Sequence, residues 1–367
     1  MEQVNILIIG AGAVGLAIGY ELSKHYEDVV IVEKENSFGR HTSSRNSEVV
    51  HSGIYYPQNS LKAKLCVQGI KKLYEYSKEN KIPYDNCGKL VVATSDKEID
   101  YLGWLKGNGE KNGVSGLEIY DRETCLEKAP SIKAKRALWV PSTGIIDTHS
   151  LMKSMESNFE KNDGFAVYEM EVTQIEYKNG KYLVSFSDGE QFEANILINS
   201  AGLFSDKIAE MSGLDINKMN LKLHWCKGEY FKTNKKFEVK NLIYPVPDPQ
   251  GIFLGIHLTL NLAGEIRFGP NAYYINDLNY KMDDTYKEEF LKAINNYIEI
   301  DSEHIHADDT GIRAKLQGPN DGFKDFYIQE ESKNNLPDFI NLIGIESPGL
   351  TCCLSIGEYV KGIVDKL

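Results

Sequence analysis

Residues 5–15 read Asn5-Ile6-Leu7-Ile8-Ile9-Gly10-Ala11-Gly12-Ala13-Val14-Gly15. The unbroken aliphatic run predicts a short buried parallel strand, and the glycines that close it match G-x-G-x-x-G. Helical spacing follows over 13–26, and 29–33 is a second buried apolar run. Together they form a strand–helix–strand unit of about 30 residues. Gly10 permits the tight turn, Gly12 lets the backbone approach a pyrophosphate, and Gly15 lets helix and strand pack closely. The helix N-terminus beyond them favours negative charge. Glu33 closes the second strand, 18 residues past Gly15. A carboxylate there reaches ribose hydroxyls and repels a 2′-phosphate. Gly10, Gly12, Ala13, Val14, Gly15, Glu33 and Lys34 are therefore candidate contacts to a dinucleotide. The fingerprint alone does not choose between NAD and FAD.

The rest of the chain is long enough for a second domain, at 367 residues. Its formal charge of −12 argues against a nucleic-acid partner. A few cations in a cleft can still bind a small anion. None of the six cysteines forms a C-x-x-C pair or sits at metal-ligand spacing, so reduced thiols and no metal are expected. The first residues carry no basic n-region, and the longest apolar run, 6–20, is too short and glycine-rich for a membrane span. A cytoplasmic protein is expected, with peripheral membrane contact left open.

Around the opening unit, 60–80 reads as a helix capped by Ser60, 89–94 as a strand, and 147–162 as a helix capped by Asp147. Strands 172–177 and 182–186 flank the Asn179-Gly180 turn, and 196–199 is a buried strand ending at Ser200-Ala201-Gly202. From about 220 to 330 alternating, aromatic-rich strands take over, at 221–233, 241–246, 251–260 and 265–268. One helix, 283–298, interrupts them. A buried strand, 339–345, and a helix, 350–366, close the chain. Nucleotide-fold features at the start, middle and end predict a discontinuous domain of 1–84, 148–218 and 328–367. The substrate domain is then 85–147 and 219–327.

The segment 41–69 contains Asn46-Ser47-Glu48-Val49-Val50-His51-Ser52-Gly53-Ile54-Tyr55-Tyr56, and then Ser60-Leu61-Lys62-Ala63-Lys64-Leu65-Cys66-Val67-Gln68-Gly69. This block resembles the L-2-hydroxyglutarate oxidase/dehydrogenase family, within the wider D-amino-acid-oxidase-like flavoproteins. The likeness returns at 227–231, 244–249 (Tyr244-Pro245-Val246-Pro247-Asp248-Pro249), 253–259, 269–272, 311–315 and 344–351. Glu48, with Ser43-Ser44-Arg45 before it, departs from the family pattern and bears on the exact substrate.

The resemblance implies an α/β fold: a glutathione-reductase-like, FAD-binding Rossmann-type domain with an inserted α+β antiparallel-sheet substrate domain. It implies that Thr42, Ser43, Ser44 and Arg45 run along FAD towards the flavin. Their hydroxyls and charge also suit pyrophosphate and ribityl oxygens on chemical grounds alone. Ala201 and Gly202 resemble the second dinucleotide motif of these flavoproteins, and Val172 would bond adenine through its backbone. Gly349, Leu350 and Thr351 open the last helix, whose amides suit charge on the reduced flavin.

The implied activity is oxidation of a small anionic 2-hydroxy acid, foremost L-2-hydroxyglutarate to 2-oxoglutarate, by hydride transfer to flavin N5. A glycerol-3-phosphate or amino-acid oxidase or dehydrogenase is the second reading. The final electron acceptor, whether oxygen, a quinone or another carrier, is not legible. Such chemistry needs a base for the hydroxyl proton and a cation for the carboxylate. His51 or His257 is the candidate base. Arg313, with its planar fork, is the candidate clamp. Tyr55 and Lys227 are candidates for a second anionic group.

Overall fold

The computed structural model describes residues 2–247 and 254–367. The apolar run folds as the strand Glu2–Ile9, parallel to Val29–Val32 on one side and to Gln191–Asn199 on the other. Phe165–Val167 extends the sheet beyond Val29–Val32. Gln191–Asn199 splits its far edge. Its first half pairs with the hairpin Val172–Lys178 and Lys181–Phe186, and its second half runs parallel to Leu336–Ile343.

Both faces of the first strand are buried, which is why its sequence does not alternate. Ile6 and Ile8 pack with Leu16, Leu22, Leu151, Met155, Ile356 and Val360 from three helices. Leu7 and Ile9 face the opposite core with Leu197, Ile208 and Phe339. Each fully buried aliphatic side chain contributes about 1.5–3 kcal/mol. The helices on the first face are Ala13–Ser23, Leu61–Glu79, Thr148–Lys161 and Gly349–Val364. Two of them start where their caps dictate. Ser60 Oγ accepts the Ala63 N–H at 3.1 Å, and Asp147 Oδ1 accepts that of Ser150 at 2.8 Å.

A second, nine-stranded sheet takes strands from 89–93, 118–140 and 224–315. It is antiparallel apart from one pair, Leu242–Pro245 beside Lys89–Ala93. Its longest pairing sets His224–Thr233 against Ile305–Lys315. A small sheet of Val49–Val50, Tyr84–Asp85 and Gly144–Ile146 draws together strands from the opening and inserted segments.

Several expectations need adjustment. The strand expected at 221–233 begins at His224. The helix expected at 283–298 is a 3-10 turn, Asp284–Tyr286, followed by the helix Lys287–Asn295. Of the strand expected at 251–260, His257–Leu260 is described. Asp248, Pro249 and Phe253 lie outside the described residues. Two helices went unread, Asp96–Lys111 and Arg122–Lys128. The first announces itself through a Ser95/Glu98 capping box.

Candidate active site

Parallel strands of this kind open their ligand site at their carboxyl ends. Ile9, Val32, Ser200 and Leu342, at or just beyond the ends of four such strands, line one cavity. The same cavity is lined by Gly10, Gly12, Ala13, Val14, Glu33 and Lys34, and by Val172, Ala201 and Gly202. It continues to His51, Tyr230, His257, Arg313, Gly349 and Leu350.

The fingerprint glycines act as their spacing requires. Gly10 sits at φ +104°, where a side chain is strained. A Cβ on Gly15 would land on the Gly10 carbonyl oxygen, so Gly15 is a packing residue behind the cavity wall. Ser43 Oγ accepts the Ala13 N–H at 3.0 Å and holds the 42–44 loop over the helix N-terminus. Glu33 accepts the Ala11 N–H at 2.8 Å through Oε2 and the Glu35 N–H at 3.1 Å through Oε1. A carboxylate has about four acceptor sites, so each oxygen keeps one for a ribose hydroxyl.

Two imidazoles face the same cavity as Arg313. His257 Nδ1 lies 2.9 Å from the Gly255 carbonyl oxygen. A carbonyl only accepts, so Nδ1 carries the proton and Nε2 keeps its lone pair. Tyr244 stacks on this ring with centroids 3.8 Å apart. Burial, and then the charges of Lys89 and Arg313, lower the His51 imidazole to about 3. Burial also holds His257 well below the ordinary range. Both rings are therefore neutral near pH 7, each with one nitrogen lone pair unprotonated. Among the described residues the arginine ion pairs are Arg45–Asp309 and Arg267–Asp308. Arg313 belongs to neither; the Glu346 carboxylate on the same wall feels its charge without forming an ion pair with it, so no described carboxylate occupies its fork.

Residues 5–362 match the family described as FAD dependent oxidoreductase. The chain belongs to the FAD-dependent oxidoreductase family. This oxidoreductase is 37% identical to the L-2-hydroxyglutarate dehydrogenase, mitochondrial, of Arabidopsis thaliana, over 98% of the chain and 83% of that protein. It is 32% identical to the L-2-hydroxyglutarate dehydrogenase of Indibacter alkaliphilus, over 97% of each. Among solved structures it superimposes on the FAD-bound L-alpha-glycerophosphate oxidase of Mycoplasma pneumoniae with a TM-score of 0.89. That match has 25% identity and covers 100% of this chain and 95% of the other. Glycine oxidase from Geobacillus kaustophilus shares the fold at TM-score 0.82 and 17% identity, covering 100% and 95%.

The cavity's donor set suits FAD. A Cβ on Gly12 would stand 3.1 Å from Ser43 Oγ, so the glycine lets the 42–44 loop close onto this turn. The residues expected along the cofactor divide between those that line the cavity and those that do not. Thr42 lines the cavity, but its hydroxyl donates to the Ile312 carbonyl at 3.0 Å. Arg45 also lines it, with its guanidinium paired to Asp309 at 3.1 Å and lying over the Tyr280 ring. Ser44 and Thr351 are not among the described residues of the wall. The Thr351 hydroxyl instead accepts the His51 backbone N–H. Lys34 lines the wall, with its ammonium 3.6 Å from the Phe204 ring centroid.

Lys227 is corrected by strand alternation. Gly228 and Tyr230 face the cavity, so Lys227 and Glu229 face away. Their side chains are buried as an ion pair at 3.3 Å, and Lys227 also donates to the Lys281 carbonyl. Glu48 is an architectural residue at φ +56°. Its Oε1 accepts the Thr148 N–H at 3.0 Å, at the start of a helix. Tyr55 sits behind the wall, with its ring near Lys89. The sequence reading missed Tyr230, whose signal was the same alternation, and Glu346, which lines the cavity and pairs with buried Lys62 at 3.0 Å.

Proposed function

We propose that this oxidoreductase converts L-2-hydroxyglutarate to 2-oxoglutarate. The observation that carries the reading is that Arg313, in no ion pair among the described residues, meets two neutral imidazoles at one cavity. Relatives of that name, alignable over nearly the whole chain, narrow the substrate class. FAD, when bound, supplies the two-electron acceptor for the C2 hydride.

The chain's own residues do the rest. Glu33, the Gly10–Gly12 turn, Val172 and Ala201-Gly202 would hold the dinucleotide. Gly349 and Leu350 would present the amides of the final helix to its far end. Arg313 grips the C1 carboxylate through two parallel N–H···O bonds and fixes C2 in position. An imidazole, His51 or His257, takes the hydroxyl proton as the carbonyl forms. The six cysteines are free thiols, which fits a reducing compartment such as the cytoplasm. No described helix is long and apolar enough to cross a membrane.

The test is anaerobic titration of the purified holoenzyme with L-2-hydroxyglutarate, its D-isomer, glycerol-3-phosphate and lactate. Bleaching of the oxidised flavin bands by the L-diacid is the expected result. Bleaching by glycerol-3-phosphate instead would replace the substrate with a phosphate ester.

A further inference from the structure

Lys89 begins the strand Lys89–Ala93, and its side chain is fully buried. Its Nζ has no hydrogen-bond partner among the described residues. The phenol oxygens of Tyr55 and Tyr244 are equally without partners, and their ring centroids lie 4.8 and 4.5 Å from that nitrogen. The buried ammonium groups of Lys62 and Lys227, by contrast, each have a carboxylate partner, Glu346 and Glu229. Burial lowers the Lys89 amine to about 7, because an ammonium held there without an anion is costly and the facing aromatic rings offset only part of that cost. Three donors without partners among the described residues lie together, a donor set that suits an anion. None of the three lines the cavity itself; Tyr244 stacks on His257, which does, so the trio stands one aromatic ring behind the wall at a candidate base.

We infer that Lys89, with the Tyr55 and Tyr244 hydroxyls, receives the second carboxylate of the substrate while Arg313 holds the first. The inference rests on the diacid reading of the proposed function. A five-carbon diacid carries its far carboxylate roughly 4–5 Å beyond the reacting carbon, about the width of one ring. An ammonium and two phenols can fill most of the four acceptor sites of a carboxylate. Lys227, the lysine that the sequence offered for this role, is already neutralised by Glu229. Lys89 and the two tyrosines thus distinguish a 2-hydroxy diacid from lactate or another monoacid.

The experiment uses the holoenzyme and two unreactive probes, glutarate and butyrate, followed by perturbation of the flavin spectrum. Lys89→Met is expected to weaken glutarate about 100-fold, the loss typical of a charge left unpaired, and butyrate less than threefold. Tyr244→Phe is expected to weaken glutarate about five- to tenfold. Flavin content and a Tm at or above wild type show that Lys89→Met is folded. If that variant does not fold, Tyr55→Phe and Tyr244→Phe decide alone, through their glutarate-to-butyrate ratio. An unchanged ratio, or equal loss of both probes, overturns the inference. Glutarate binding that depends on Lys89, in an enzyme that L-2-hydroxyglutarate does not bleach, would leave this subsite standing and remove only the substrate.

Discussion

The His51 backbone N–H donates to Thr351 Oγ1 at 2.9 Å, which ties a cavity-wall histidine to the first turn of the final helix. The Cys66 thiol donates to the His51 carbonyl at 3.1 Å from the other side. Thr351 is fully buried, so removing its hydroxyl strands an amide away from water. Thr351→Val should cost about 1–3 kcal/mol in chemical denaturation, and Thr351→Ser should restore most of it. Because the hydroxyl sets where His51 sits, Thr351→Val should also slow anaerobic flavin reduction. A slowed Thr351→Ser with normal stability would detach the hydroxyl from this role.

The fingerprint glycines should differ in what they tolerate. Gly15→Ala drives a methyl into the Gly10 carbonyl, a backbone atom that cannot yield without moving the turn. Gly12→Ala meets the Ser43 hydroxyl, the movable end of a side chain. Gly15→Ala should therefore lose about 3 kcal/mol or more and purify with little flavin. Gly12→Ala should fold and bind flavin less tightly. Melting curves and the flavin-to-protein absorbance ratio separate the two.

The division between legible and illegible follows from the range of the interactions. The opening unit could be read because every cue is local: an apolar run, glycines at fixed offsets, and a carboxylate at the next strand end. Ser60 and Asp147 were legible as caps for the same reason. The clefts of the second sheet were not. Lys227 and Tyr230 are three residues apart, and only strand phase decides which meets the cavity. Glu48 drew notice as unusual, yet its work is a bond to Thr148, a hundred residues away. Lys89 is legible only as the first residue of a strand. What sets it apart is the missing partner, which no sequence shows.

Arg313 should not tolerate its closest replacement. It enters from Ile305–Lys315 opposite Cys226, one strand from Tyr230. An ammonium keeps the charge but loses the two parallel bonds that orient the carboxylate. Arg313→Lys should lower kcat/KM for the 2-hydroxy acid by about 10²-fold, a loss of roughly 2–3 kcal/mol in transition-state binding. Bound flavin should be unchanged. Steady-state kinetics with unaltered KM and kcat would remove Arg313 from the site.

The pH dependence should identify the base. Both imidazoles have folded-state pKa values below the unfolded value of 6.5, with His51 near 3. A lowered value keeps the ring neutral, and so competent as a base, to more acid pH. The acid limb of kcat/KM should therefore lie below pH 6.5 in the free enzyme. The sign for stability is the same. Below pH 6.5 the unfolded chain binds protons that the folded chain refuses, so stability falls as the pH drops towards 3. His51→Asn and His257→Asn should each slow reduction, and loss of the general base itself should cost 10²–10⁴-fold. The acid limb should vanish in the variant that lacks the base. The tautomer fixed by Gly255 leaves His257 Nε2 free to accept, so the limb should go with His257. If it goes with His51, the stacked ring of His257 orients substrate instead. A limb that survives both substitutions would place the proton acceptor outside this pair.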